Sequence, residues 1–337
     1  MDSITQAFLG AACAAVVAPR EHRRRALLLG AALGTLPDLD YLVIGWMDPV
    51  AMFTLHRSFS HSLLVLPWVG LVAWWLLLRR RPDARAAKWR WLAALELSLV
   101  THPLLDCFTV YGTQLFWPLP HDPIMWSTIF IIDPAYTIWL VLGVAAAWFG
   151  RESRRARNAL VMGLAISSAY LGWTLVAKST LEAALAGEIA RKGWTGQVEV
   201  LTVPTPFNSV LWRILVRKEN EYGESFFSFL SGEQRTSTTV YVSHDYLLRP
   251  IRTAPAVERL AWFTHGFYSV ARRGDAIVMT DLRMGIEPDY VFRFEVAEFV
   301  HGKIVALDDV RQDPWPSGTA KRTAWVWRRM FDPAATL

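Results

Sequence analysis

Apolar runs broken by short polar punctuation make up roughly the first half of the chain, and each run has the length of a helix rather than a strand. Ile4–Ala18 ends at Pro19 and the basic stretch Arg20–Arg25, and Ala26–Leu36 ends at Pro37-Asp38-Leu39-Asp40. Leu63–Leu78 stops at Arg79-Arg80-Arg81, Trp91–Leu105 opens from Lys88-Trp89-Arg90, Ile129–Phe149 runs to an Arg-rich turn, and Asn158–Ala177 closes the series. The first two runs fall short of the roughly 20 residues that cross a bilayer. The pattern predicts an α-helical integral membrane bundle of about six helices, some short, over residues 1–180. From 181 to 337 alternation replaces the long runs. Strands are expected at Gln197–Val203, Thr238–Ser243 and Val291–Val300, and hairpins turn at 219–223 and 273–275, with a short helix at Ala256–His265 between them. This second part reads as a soluble, mostly-β or α+β domain.

Threading the apolar runs alternately through a membrane puts the Arg clusters at 20–25, 79–90 and 151–157 on one side. Gln6, Asp38, Asp40, His56, His61, His102, Asp106 and Asp133 fall near the other. Basic loops stay in the cytoplasm, so the acid and imidazole face, with the second domain, is expected to face the periplasm or exterior. Trp46, Trp117, Trp126 and Trp139 would belong to its interfacial belt. The net charge of +5 therefore belongs to helix ends and does not mark a nucleic-acid surface. Cys13 and Cys107 lie in apolar surroundings and are too few for a disulfide framework or a cysteine zinc site. Asp2 precedes the first apolar run and the basic cluster follows it, the reverse of a cleaved signal peptide. No phosphate-cradling glycine loop or nucleophile elbow is present in the sequence.

The candidate chemistry sits at the helix ends. Leu55-His56-Arg57-Ser58-Phe59-Ser60-His61-Ser62 places two imidazoles at the mouth of an apolar helix. On a helix His102 and Asp106 share a face at i and i+4 and can hold one ion between them; a plain His–Asp hydrogen bond is the simpler reading. Asp38 and Asp40 read equally as a turn, Asp2 and Asp133 as helix caps, and His56 and His61 as part of a polar cap. Arg57 is a clamp for an anionic group or an interfacial anchor. Taken together, Asp38, Asp40, His56, His61, His102 and Asp106 predict one or more divalent ions, Zn²⁺ first and Mn²⁺ second. Whether Gln6, Asp2, His121 or Asp133 join them is left open. Glu96 reads as a buried helix contact or a supporting acid, His244, His265 and His301 as structural, and Asp281 with Arg283 as groups reaching the site from the second domain.

The ordered set Met1–Gln6, Leu36–Asp40, His56–Ser62, His102–Asp106, Val110–Thr113 and Ile132–Pro134 resembles the bacterial membrane-bound, metal-dependent hydrolase family (YdjM-like) over residues 1–180. Many members have a histidine where Gln6 stands. That family has been linked to the fold of zinc-dependent phospholipase C and single-strand nucleases, which the His102/Asp106 spacing matches. The resemblance implies a multi-pass protein of the bacterial inner membrane, with His61, His102 and Asp106 as leading ligands and Asp38, Asp40 and His56 next. The expected function is hydrolysis of an ester or phosphoester in a lipid or lipid-linked molecule, with Arg57 and His56 at the reacting group. A membrane scaffold without catalysis, whose soluble domain binds a partner, is the other reading. The expected partners are the bilayer and a lipid-like substrate, and not nucleic acid.

Overall fold

Small residues decide how the first helices meet. α1 (Ser3–Val17) and α2 (Arg23–Thr35) touch backbone to backbone. A Cβ placed on Gly10 would lie 2.3 Å from the Gly30 carbonyl oxygen, and one on Gly34 only 2.5 Å from that of Gln6. Close approach at glycines is how helices pack where no hydrophobic effect drives them together. The chain then passes through the 3-10 turn Leu36–Asp40 into α3 (Tyr41–Ile44), and α4 (Pro49–Leu55) leads to the 3-10 turn Phe59–His61. α5 (Leu66–Arg80), α6 (Lys88–Asp106), α7 (Pro134–Gly150) and α8 (Arg154–Arg191) follow. Gly163 repeats the device between α7 and α8, since a Cβ there would sit 2.4 Å from the Trp139 carbonyl. Leu9, Ala12, Leu27, Trp91, Leu105 and Leu140 are among the core residues of the bundle. This computed structural model describes residues 1–192, 196–231, 238–314 and 319–335.

The chain divides into two units, residues 1–45 with 55–175, and residues 46–54 with 176–337. In the first, several basic residues have a structural task. Arg90, at the start of α6, donates to the carbonyls of Val17 and Ala18 at the end of α1, both at 2.9 Å. Arg24, at the start of α2, donates to Trp148 near the end of α7 at 2.9 Å, and Arg23 donates to Arg151. Helix C-termini expose carbonyls without intrahelical partners and a partial negative charge, so guanidinium groups satisfy both. These contacts gather the basic turns at one end of the unit. α6 then rises about 27 Å to Asp106 at the other end.

The expected helices form, some of them short, but not all are long and apolar enough to cross a membrane. Among the described residues two helical stretches are long and apolar enough to span, Arg20–Ile44 and Arg154–Arg191, and a third arises if Pro49–His61 and Leu66–Arg80, bent by 55°, count as one. Ser3–Val17 and Pro134–Gly150 are apolar but short. At about 1.5 Å per residue, α1 covers about 22 Å against a hydrocarbon core of about 30 Å. α8 was expected to end near Ala177 but continues to Arg191.

In the second unit the alternating segments form antiparallel sheets, as their pattern predicts. β1 (Glu199–Pro204), β2 (Leu211–Lys218), β3 (Glu221–Ser228) and β4 (Thr239–Val242) pair in sequence order. β5 (Tyr268–Arg273), β6 (Ala276–Asp281), β9 (Arg293–Val300) and β10 (Lys303–Gln312) make a second sheet in the order β10-β9-β6-β5, and β7 (Gly285–Ile286) with β8 (Asp289–Tyr290) is a two-stranded ribbon. α9 (Pro255–Phe263) and α10 (Thr319–Arg329) complete the unit. Residues 46–54 were read with the membrane part, yet Phe53 packs against Phe263, Phe292 and Phe294 at centroid distances of 4.8, 4.4 and 5.3 Å. Arg259 Nε donates to Thr54 Oγ1 at 3.0 Å. An aromatic cluster in the second unit thus claims a segment that sequence order assigns to the first.

Candidate metal centre

Three elements of the first unit bring four side chains together: Asp38 from the 3-10 turn after α2, His61 from the turn before α5, and His102 with Asp106 from the last turn of α6. One ligand atom from each lies within 4.8 Å of all the others. His61 Nε2 is 3.6 Å from Asp38 Oδ1 and 3.3 Å from Asp106 Oδ2. His102 Nε2 is 3.4 Å from each of the same two oxygens, and the two Nε2 atoms are 3.0 Å apart. Bonds of 2.0–2.1 Å to a tetrahedral ion would put ligand atoms about 3.3 Å apart. These separations straddle that value, so the group has the size of one ion.

The surroundings also fit a cation. Asp106 Oδ2 is buried with no hydrogen-bond partner, a costly state for a carboxylate oxygen unless positive charge meets it. Its other oxygen accepts from Gln6 Nε2 at 3.1 Å and from the Met1 amine. His102 Nδ1 lies 2.5 Å from the Gly34 carbonyl, which can only accept, so the proton sits on Nδ1 and Nε2 keeps its lone pair for the group. The close approach of α1 and α2 at Gly34 thus also sets the ring of His102. Pro103 lies inside α6, so the Leu99 carbonyl four residues before it receives no bond from that position, and the helix ends three residues later at Asp106.

Arg57 is buried, with Nε 3.3 Å from Asp106 Oδ2, Nη1 donating to Thr109 Oγ1 at 2.8 Å and the guanidinium 4.9 Å from the Tyr111 ring centre. It is a fixed charge beside the group and not an anchor at the membrane surface. Asp40 and His56 lie outside the group of four and bond to each other, His56 Nδ1 to Asp40 Oδ1 at 3.0 Å. Gln6 reaches the site as a donor to Asp106 and to the His102 carbonyl, at 3.1 and 3.2 Å.

Other candidates take the simpler role. Asp2 caps α1 by accepting from Thr5 N–H at 3.0 Å, and Asp133 caps α7 through Ala135 N–H at 3.0 Å while accepting from Tyr170 Oη at 2.8 Å. His121 is held in its loop, its Nε2 accepting from Phe116 N–H at 3.0 Å. Asp281 pairs with Arg283 inside the second unit at 2.9 Å. Glu96 packs against Gly70, where a Cβ would meet its carboxylate at 2.4 Å. Cys107 is a buried free thiol, pushed up to about 12 by burial and by the charge of Asp106. Thr109, Tyr111 and Ser60 were not singled out in the sequence for the contacts they make here. Ser60 adjoins His61 in the sequence, and Thr109 and Tyr111 follow Asp106 within five residues, which was the available signal.

Neither the curated proteins nor the solved structures contain a match to this chain, and the expected similarity to phospholipase C is not shown. The acid-imidazole group lies within residues 1–181, the stretch matched by the family model described as YdjM inner membrane protein, and the chain belongs to that family.

Proposed function

We propose that the protein is a metal-dependent hydrolase of the bacterial inner membrane, acting on an ester or phosphoester of a lipid or lipid-linked molecule. The convergence of Asp38, His61, His102 and Asp106 within 4.8 Å, with a buried Asp106 oxygen that has no hydrogen bond and only an ion pair to Arg57 at 3.3 Å, carries this reading. Two imidazoles and two carboxylates suit a borderline divalent ion, zinc first and manganese next. Such an ion supplies Lewis acidity, drawing charge from a carbonyl or phosphoryl oxygen and bringing the pKa of water toward about 7. Arg57 adds a fixed positive charge at the edge of the group, where negative charge develops on an ester oxygen. Asp38 is the least buried of the four, its side chain 16% exposed against 0% for the rest, and marks the side from which substrate approaches. Its neighbours Leu36, Leu39 and Leu42 are exposed and apolar, which favours an amphiphile over a water-soluble ester. The basic turns belong in the cytoplasm and the metal group at the periplasmic face.

Metal analysis of the purified chain, followed by a screen of lipid and phosphoester substrates in detergent with and without chelator, tests the proposal. The expected result is stoichiometric zinc or manganese and turnover that chelation removes and metal restores, both lost in His102→Ala. A metal-free wild type, or turnover indifferent to chelation, overturns it.

One observation favours a second reading. Four protein donors at these separations can close a tetrahedron with no position left for water, the pattern of a structural ion. The ion would then staple three elements together in a scaffold. X-ray absorption separates the two: an added water oxygen supports the hydrolase, and four protein ligands alone support the staple.

A further inference from the structure

Asp40 lies outside the group of four, yet it holds the turn that delivers His61. Its Oδ2 accepts from the Arg57 backbone N–H at 3.3 Å and from Ser60 Oγ at 2.8 Å, and its Oδ1 meets His56 Nδ1 at 3.0 Å. Arg57 has φ 64, a left-handed conformation that a non-glycine residue keeps only when its surroundings hold it there. Ser60 Oγ lies 2.9 Å from His61 Nδ1, whereas Asp40 Oδ2 is 4.0 Å from the same atom, too far for a direct bond. The hydroxyl therefore stands between carboxylate and imidazole.

The protons along this line follow from what each group can do. An ionised carboxylate only accepts, so the single hydroxyl proton of Ser60 points to Asp40. Ser60 Oγ is left with lone pairs toward His61, and Nδ1 must carry the ring proton. His61 Nε2 is then the unprotonated nitrogen, and Nε2 is the atom that faces Asp38, Asp106 and His102. We infer that Asp40 is a positioning residue which, through Ser60, fixes His61 in the tautomer that offers Nε2 to a cation. The inference rests on reading the group of four as a cation site. It takes Asp40 out of the ligand set and gives it, with Ser60, the task that the Gly34 carbonyl performs for His102.

The full-length protein in detergent tests this with two readouts, zinc affinity by competition with a chromophoric chelator and imidazole ¹⁵N shifts of the metal-free protein. Ser60→Ala is expected to weaken zinc binding roughly 10- to 100-fold, as loss of a group that orients a ligand does. Ser60→Thr keeps the hydroxyl and restores affinity. Asp40→Asn keeps the volume but presents an N–H to Ser60, reverses the line of protons, and costs affinity to a similar degree. In the metal-free spectra His61 is protonated on Nδ1 in the wild type and gains Nε2–H in Ser60→Ala and Asp40→Asn. Wild-type affinity and an unchanged His61 tautomer in Ser60→Ala overturn the inference. So does loss of binding in Asp40→Asn with none in Ser60→Ala, which makes Asp40 a direct ligand. A wild type that binds no zinc defeats the cation reading separately. The His61 spectra then decide the relay alone: a proton that moves in Ser60→Ala supports it, and one that stays overturns it.

Discussion

Buried charge makes Arg57 and Asp106 dependent on each other, and a bound cation would loosen that dependence. With Nε 3.3 Å from Asp106 Oδ2 and both side chains buried, removing the guanidinium leaves the carboxylate with less positive charge around it. Loss of one partner of a buried ion pair costs about 3–5 kcal/mol. Arg57→Met is therefore expected to lower the thermal stability of the metal-free protein by that order, and by clearly less in excess zinc, where the ion takes over neutralisation. Equal losses with and without zinc would place the ion away from Asp106. At this scale the sequence names residue types but not roles. Asp2 and Asp133 carry the same carboxylate as Asp38, and they cap helices because Thr5 N–H and Ala135 N–H stand in front of them. Nothing in a single-residue reading distinguishes an acid facing backbone amides from one facing imidazoles.

Elements transmit geometry to the site through their packing. Gly34 is in contact with α1 and its carbonyl holds His102, so both functions share one residue. Gly34→Ala would put a Cβ 2.5 Å from the Gln6 carbonyl and push the helices apart. The expected cost is about 1–3 kcal/mol of stability, with weaker zinc binding as His102 loses its partner. Denaturant unfolding and metal competition measure the two effects, and unchanged zinc affinity in a destabilised variant would separate packing from the site. The His102/Asp106 pair was legible because a helix fixes what lies at i and i+4, and the two atoms do meet at 3.4 Å. The β-hairpins at 219–220 and 274–275 were legible for the same reason, a local period. The long continuation of α8 was not, since after Ala177 its sequence loses the apolar bias by which the span was traced.

Across the whole molecule the basic turns and the acid-imidazole group occupy opposite ends of the first unit, joined along α6. The proposed orientation puts the basic end inside the cell. Arg155→Cys, in the Arg-rich turn, is expected to react with an impermeant thiol reagent only after the membrane is opened. Asp122→Cys, in the loop at the other end, is expected to react in intact spheroplasts. The reverse pattern would invert the topology and move the hydrolase site to the cytoplasm. Sequence order also misassigned residues 46–54, because Phe53 finds its aromatic neighbours in a unit more than a hundred residues further on.

Sequence alone determined how far along each helix the ionisable groups lie, since every residue advances the axis by about 1.5 Å. It thereby separated the guanidinium-rich end from the carboxylate and imidazole end before any packing was known. Only the tertiary structure decided which of those groups face one another. A bond to an ion spans about 2 Å, and that precision depends on rotation about each helix axis. The glycine contacts of α1 with α2 set it, together with the turn of residues 56–61 that Asp40 holds.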